Sequence, residues 1–237
     1  MDLEDFSEVL VESTKVIREC FKKFQLDEVF LSFNGGKDCT VLLDLTINIL
    51  KDIYKRNDIG KDLKIVYIRT LGPFKEIEAF VEQIETHYGV KLKVTEGEMK
   101  STLQNILEED IKLKACLLGT RRTDPYSGEL KFMQKTDSHW PQIVRVSPLL
   151  NWSYHQIWSY ILQNNVPYCS LYDKGYTSIG SMHNTQPNPS LAYKDVGGTS
   201  YRPAWMLKDP SLERAGRRTK NTLNGHNVQS TIEKCLC

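Results

Sequence analysis

Apolar positions set the frame of this chain. Phe6, Val9, Leu10, Val16, Ile17, Cys20, Phe21 and Phe24 recur at helical spacing, with Ser13 on the same face, and predict an amphipathic helix ahead of the main sheet. The apolar, β-rich run 28–33 (EVFLSF) predicts a strand buried on both faces. After a glycine turn, 39–57 carries Val41, Leu42, Leu45, Ile49 and Ile53 on one face of a helix. The alternation goes on through strand 63–69, helix 74–88 between Pro73 and Gly89, strand 91–95, helix 98–112, strand 115–119 and a last strand at 143–146. A helix over 153–165 opens on a capping box of Ser153 and Gln156, with Pro167 just beyond its end.

Such alternation predicts the α/β class: a Rossmann-like, mostly parallel sheet with helices on both faces. Sheets of this kind bind ligands beyond the carboxyl ends of their strands, where the strand order reverses. Three segments rich in Gly, Pro, polar and aromatic residues follow the regular elements: 32–38, 119–141 and 167–217. The expected organisation is a Rossmann-like domain over 1–166 with 119–141 as an insert. An irregular C-terminal segment, 167–217, packs on it, and 218–237 forms a polar tail.

Composition narrows the function classes. With 40% hydrophobic and 26% charged residues, the 237-residue chain has the balance of a globular protein. Its net charge of +1 lacks the broad basic excess of a protein that coats nucleic acid, so no nucleic-acid partner is expected. Six cysteines without a C-x-x-C pair give neither a disulfide framework nor a zinc site, and reduced thiols are expected. The most apolar stretch, 41–50, is interrupted by Asp44 and Asn48 and is too short to cross a bilayer. The acidic N-terminus has no signal or transit pattern, and the terminal Cys-Leu-Cys lacks prenylation spacing. A cytoplasmic location without a membrane partner is the expectation.

The chemistry concentrates in the loop Ser32, Phe33, Asn34, Gly35, Gly36, Lys37, Asp38, set between a strand and a helix. Paired glycines let successive backbone N–H groups point into one concavity suited to an anion. The helix that follows adds the positive end of its dipole, worth about 0.3–1 kcal/mol, and Lys37 adds a full charge. The plainer alternative is a turn with Asp38 as helix N-cap. In the second segment, Gly119 and Thr120 sit at a strand end where backbone groups are free to read an adenine edge. Arg121 and Arg122 can clamp phosphates, and Asp124 can hold magnesium or a ribose hydroxyl; a solvated surface turn is the alternative. In the third, Arg214 and Arg217 are three apart and would share one face of a helix, matching a phosphate monoester or a developing pyrophosphate. The alternative there is a solvated basic patch with Arg218 and Lys220.

The string SFNGGKDC resembles the pyrophosphate loop of the ATP pyrophosphatase group, usually SGGKDS, and above all its PAPS-reductase-like branch. It departs from the common form at Asn34 and Cys39, and in this form it is similar to the eukaryotic-type FAD synthases, or FMN adenylyltransferases. The run from Gly119 to Pro125 resembles that family's G-x-R-R-x-D-P motif, with Asp137 and Trp140 matching an acidic and aromatic pair. The resemblance implies that the 119–141 insert faces the flavin, with Asp137 and Trp140 contacting the isoalloxazine ring. It also implies that Arg214 and Arg217 hold the FMN phosphate and that the loop around Gly175 and Gly180 closes the site. Trp140 also reads as an ordinary packed tryptophan, Trp205 as a residue fixing the segment against the core, and His183 as structural.

The implied reaction transfers AMP from MgATP to FMN, giving FAD and pyrophosphate. The FMN phosphate is already ionised, so no general base is needed, and catalysis is positioning plus charge stabilisation. Asn34, Asp38, Arg214 and Arg217 would carry it, with Asp38 and Asp124 on the magnesium ion. The chain would act as a monomer with small-molecule substrates, handing FAD transiently to apo-flavoproteins. A sulfonucleotide reductase shares the loop but needs Glu-Cys-Gly-x-His near its C-terminus, where this chain reads Glu-Lys-Cys-Leu-Cys. A flavin- or nucleotide-binding module without catalysis is the second alternative. A tRNA-modifying ATP pyrophosphatase is disfavoured by the neutral charge and the missing zinc cysteines.

Overall fold

A computed structural model describes residues 7–69 and 71–218. The order is α1 (Ser7–Lys23), β1 (Val29–Phe33), α2 (Lys37–Tyr54), β2 (Lys64–Arg69), α3 (Lys75–Tyr88), β3 (Leu92–Glu96), α4 (Met99–Glu109), β4 (Ala115–Leu117), β5 (Met133–Lys135), β6 (Val144–Val146) and α5 (Tyr154–Gln163). A hairpin of β7 (Ala192–Asp195) and β8 (Gly198–Tyr201) follows among short 3-10 turns. The capping box at α5 is present, with Gln156 N–H donating to the Ser153 hydroxyl and Ser153 N–H to the Gln156 amide. Phe6, Lys220, the terminal Cys-Leu-Cys and all of the polar tail beyond Arg218 lie outside the described residues.

Six strands form one sheet in the order β3-β2-β1-β4-β6-β5. All neighbours are parallel except β5, which pairs antiparallel with β6 at the edge. The edge strand β5 and the exposed hairpin lack the buried apolar residues that mark β4 and β6, so the apolar pattern does not predict them. Alternate residues of each strand face opposite sides. Val29, Leu31 and Phe33 enter the larger core with α1, α2, α3 and α5, whereas Phe30 enters a smaller one with α4. Helices therefore cover both faces, four on one and one on the other.

From β1 the chain winds outward to β2 and β3, then returns past β1 to β4. The strand order reverses between β1 and β4, and their carboxyl ends open side by side. The loop 34–36 leaves β1 there, and 118–124 leaves β4. At Gly119 an added Cβ would lie 2.9 Å from Cys39 N and 3.0 Å from Asp38 C, so only glycine lets the two chains approach this closely.

Candidate active site

The glycine loop is built from its own side chains. Ser32 and Phe33 are the last residues of β1, and Gly36 in extended conformation is the N-cap of α2. Asp38 therefore stands inside the first turn of α2 and does not cap it. Gly35 has φ +75°, and a Cβ there would also meet Ile77 Cγ2 at 2.9 Å. The Asn34 amide oxygen accepts from Gly36 N–H (2.9 Å) and from the Cys39 thiol (2.9 Å). The two positions where this loop departs from the common string, Asn34 and Cys39, are thus hydrogen-bonded to each other.

Lys37, expected to meet a phosphate, is buried among carboxylates. It is 2% exposed, and its ammonium pairs with Asp38 Oδ2 (2.9 Å) and with Glu213 Oε1. Its backbone N–H donates to the Tyr172 hydroxyl (2.8 Å), and the ammonium lies 5.2 Å from the centre of the Tyr154 ring. Arg121, expected to clamp phosphates, is likewise buried. Its Nε lies 2.8 Å from Asp38 Oδ1, and one terminal nitrogen reaches both Glu213 oxygens at 2.7 Å. Two cations and two carboxylates alternate in a closed ring: Lys37, Asp38, Arg121, Glu213.

Pairing outweighs burial around this ring. Burial works to neutralise Lys37, but Asp38 and Glu213 together raise its pKa above the ordinary lysine value, so it stays charged. Burial works to raise the Asp38 carboxyl, but Arg121 and Lys37 hold it below its ordinary range. Arg121 is raised in the same way by Asp38 and Glu213 against the desolvation that opposes them. Asp124 goes the other way: burial and then the neighbouring Asp38 carboxylate push its carboxyl up. Its Oδ2 accepts from Arg121 N–H (2.8 Å), closing the turn after β4.

The other expected residues divide. Thr120 is buried beside the ring. Arg122 donates to Asn151 Oδ1 (2.7 Å) and to the carbonyls of Gly128 (2.8 Å) and Leu130 (2.9 Å), so it staples its own loop. Trp140 is 8% exposed in the smaller core, most of its ring taken by packing, while Asp137 beside it is exposed. Arg214 and Arg217 do not share a helix: a 3-10 turn ends at Leu212, and Arg217 N–H donates to Arg214 O (2.9 Å) in a tight turn. Arg217 then bridges Thr185 in antiparallel fashion. Trp205 packs on Trp158 and Tyr168, with centroids 5.6 and 5.8 Å apart, and fixes its segment to α5. Two residues with no sequence signal for this place join the site, Glu213 and Tyr172. Glu213 meets Lys37 from 176 positions away, a pairing that no local spacing encodes.

The glycine loop at the switch point, backed by a basic segment after the neighbouring strand, falls within a match to the phosphoadenosine phosphosulfate reductase domain family. That family's profile matches residues 28–110 and 99–187. A probable FAD synthase of Schizosaccharomyces pombe is 41% identical over 207 residues, 86% of this chain and 77% of the relative. The fold superposes with TM-score 0.81 on Candida glabrata FMN adenylyltransferase in complex with FMN and the ATP analogue AMPCPP, at 31% identity over 89% of each chain. The same enzyme with FAD and inorganic pyrophosphate gives TM-score 0.81 at 30% identity, covering 90% of this chain and 88% of that one. Within that domain family, the chain belongs to the FAD synthase family.

Proposed function

We infer that this chain transfers AMP from ATP to the phosphate of FMN, giving FAD and pyrophosphate. The observation that carries this is the convergence of three segments on one switch point: the glycine loop after β1, the turn after β4, and the arginine-bearing turn 213–217. It is what a two-substrate phosphate reaction needs, one anion on each side of the transferred phosphorus. A relative of the same fold holds FMN with an ATP analogue, and in another complex FAD with pyrophosphate.

The FMN phosphate oxygen attacks the α-phosphorus of ATP, the bond to the β-phosphate oxygen breaks, and pyrophosphate leaves with its electron pair. No proton has to be removed from the nucleophile, so the step calls for no general base. Asn34, Gly35 and Gly36 shape the phosphate cradle at the start of α2, with Phe33 and Ser32 anchoring it in β1. Gly119 and Thr120 would meet the adenosine, and Asp137 with the edge of Trp140 the flavin. Arg214 and Arg217 bind the FMN phosphate and balance charge in the transition state.

Asp38 and Asp124 suit a magnesium ion. Both offer hard oxygen donors; Asp124 would be the freer one, since its Oδ2 accepts from a backbone N–H, whereas both Asp38 oxygens are paired with Lys37 and Arg121 and would have to be shared with the ion. Among the described residues no three such side chains cluster, so substrate phosphates would complete the ion's shell. When bound, magnesium supplies charge neutralisation at the phosphates. The proposed molecule is a monomer, with 1–166 and 167–217 as the two parts of one site.

The test is to incubate the protein with FMN, ATP and magnesium and to follow flavin fluorescence together with pyrophosphate. Parallel fluorescence loss and pyrophosphate release is the expected result. Fluorescence loss alone would indicate a binding module, and thiol-dependent sulfite release from PAPS a reductase. All four described cysteines are buried, and burial pushes the Cys39 thiol up to about 12, the opposite of a thiolate nucleophile.

A further inference from the structure

We propose that Glu213 is a positioning residue of the transfer step: its carboxylate, gripped by Lys37 and Arg121, clamps the arginine-bearing turn onto the nucleotide loop. This rests on the adenylyl-transfer reading above and assigns the contact that joins its two halves.

Three features of the structure lead here. Glu213 is 9% exposed, and its carboxylate is the only part of the turn 213–217 that enters the Lys37–Asp38–Arg121 cluster among the contacts described. A buried carboxylate carries a large desolvation penalty unless it is paired on both sides, and this one is. Its backbone is fixed as tightly as its side chain. The Thr177 hydroxyl donates to Glu213 O (2.6 Å), and the buried Asn188 amide donates to Thr177 Oγ1 and to Leu212 O (both 2.8 Å). Arg214 is the next residue, and Arg217 closes its turn on Arg214 O. Fixing Glu213 at both ends therefore fixes where the two guanidinium groups start.

The charge balance gives the clamp its direction. A neutral side chain at 213 removes one of the two carboxylates that directly grip Lys37 and Arg121 and leaves Asp38 as their shared ion-pair partner. Gln would also turn an amide N–H₂ toward one of the cations. The turn would lose its anchor, and an arginine displaced by about 1 Å from a reacting phosphate can cost about 100-fold in rate.

The experiment compares wild type with Glu213→Gln, measuring kcat/KM for FMN, KM for ATP, and equilibrium binding of FMN and of riboflavin by fluorescence quenching. Riboflavin carries the same ring but no phosphate. The expected result is a loss of about 100-fold in kcat/KM for FMN and about tenfold weaker FMN binding, with riboflavin binding unchanged. Equal weakening of FMN and riboflavin would mean that Glu213 merely supports the pocket, and unchanged kcat/KM would mean that the clamp does not exist; either overturns the proposal. Should Glu213→Gln fail to fold, Glu213→Asp keeps the charge and shortens the reach. It should show the same phosphate-selective loss in a folded protein, and wild-type behaviour would overturn the proposal. A wild-type protein that makes no FAD would instead refute the adenylyl-transfer reading itself.

Discussion

The sheet half, residues 29–146, and the C-terminal segment, 167–218, place their side chains by opposite means. In the first, backbone hydrogen bonds and alternating apolar residues fix β1 and β4, and the loops inherit their position. In the second, the elements are 3-10 turns and one exposed hairpin. Position comes from single contacts to distant residues, such as Tyr154 to Ala204 O (2.7 Å), Tyr172 to Lys37 N (2.8 Å) and Glu213 to Arg121 (2.7 Å). The sheet half holds its shape through many small contributions, the segment through a few large ones. A core substitution in the first should therefore act on stability, and one at the arginine-bearing turn of the second on turnover.

A matched pair tests that division hardest. Leu31 is fully buried in the larger core, and Leu31→Ala should cost about 2–5 kcal/mol of unfolding free energy while folded molecules keep their turnover. Arg217→Ala should lose about 2–4 kcal/mol of transition-state stabilisation with little change in denaturation midpoint. Denaturant melts and kcat/KM for FMN on both variants decide it. If Arg217→Ala turns over near-normally, the arginine pair is not part of the reaction.

Gly180 sharpens the comparison from within the segment. Its backbone is not in the left-handed region, so alanine is conformationally acceptable, but the new methyl would fall within 2.6 Å of Arg217 Cζ. A flexible guanidinium can move away where backbone cannot. Gly180→Ala should thus leave the melting temperature within about 1 °C and lower kcat/KM for FMN about tenfold. A stability loss without an activity loss would place Arg217 outside the reaction and make it a packing residue.

The same division explains what was legible beforehand. The period of Val41, Leu42, Leu45 and Ile49 and the alternation around Leu31 are local signals, and they locate α2, β1 and the switch point to within a few residues. The candidate residues Asn34, Gly35 and Gly119 follow from that geometry. For Lys37 and Arg121 the sequence shows a charge but not its partner. Each reads as a free cation until Glu213 arrives from the far end of the chain. The helix expected for Arg214 and Arg217 fails because Pro210 and Gly216 bracket a stretch too short for one, and Gly216 lies against Gln186 O.

Asp124 separates stability from metal binding by pH. Burial and Asp38 raise its carboxyl above 3.8, so between that value and its raised one the folded protein holds a proton that the unfolded chain releases. Stability contributed by this group therefore falls as pH rises through the window. Asp124→Asn keeps an oxygen to accept from Arg121 N–H, so at neutral pH it should raise the denaturation midpoint. It should also weaken magnesium support of turnover about tenfold. Magnesium titrations over a falling pH series check it: protonation of ATP itself raises the metal requirement in both proteins, and wild type should drift further than the variant.

The smallest effect probes the seam between the two halves. Lys37 N–H is the first donor of α2 and has no intrahelical acceptor; the Tyr172 hydroxyl, buried in the segment, accepts from it at 2.8 Å. Tyr172→Phe keeps the ring against Trp158, 5.2 Å between centroids, and removes only that oxygen. Stability should fall by about 1 kcal/mol, the ordinary worth of one buried hydrogen bond. If the segment also holds the nucleotide loop in shape, KM for ATP should rise two- to threefold while binding of riboflavin stays constant. A stability loss with no change in KM for ATP would show that the loop keeps its form without the seam, through the Asn34 and Cys39 contacts alone. In that case the segment's hold on the site reduces to the Glu213 ion pairs.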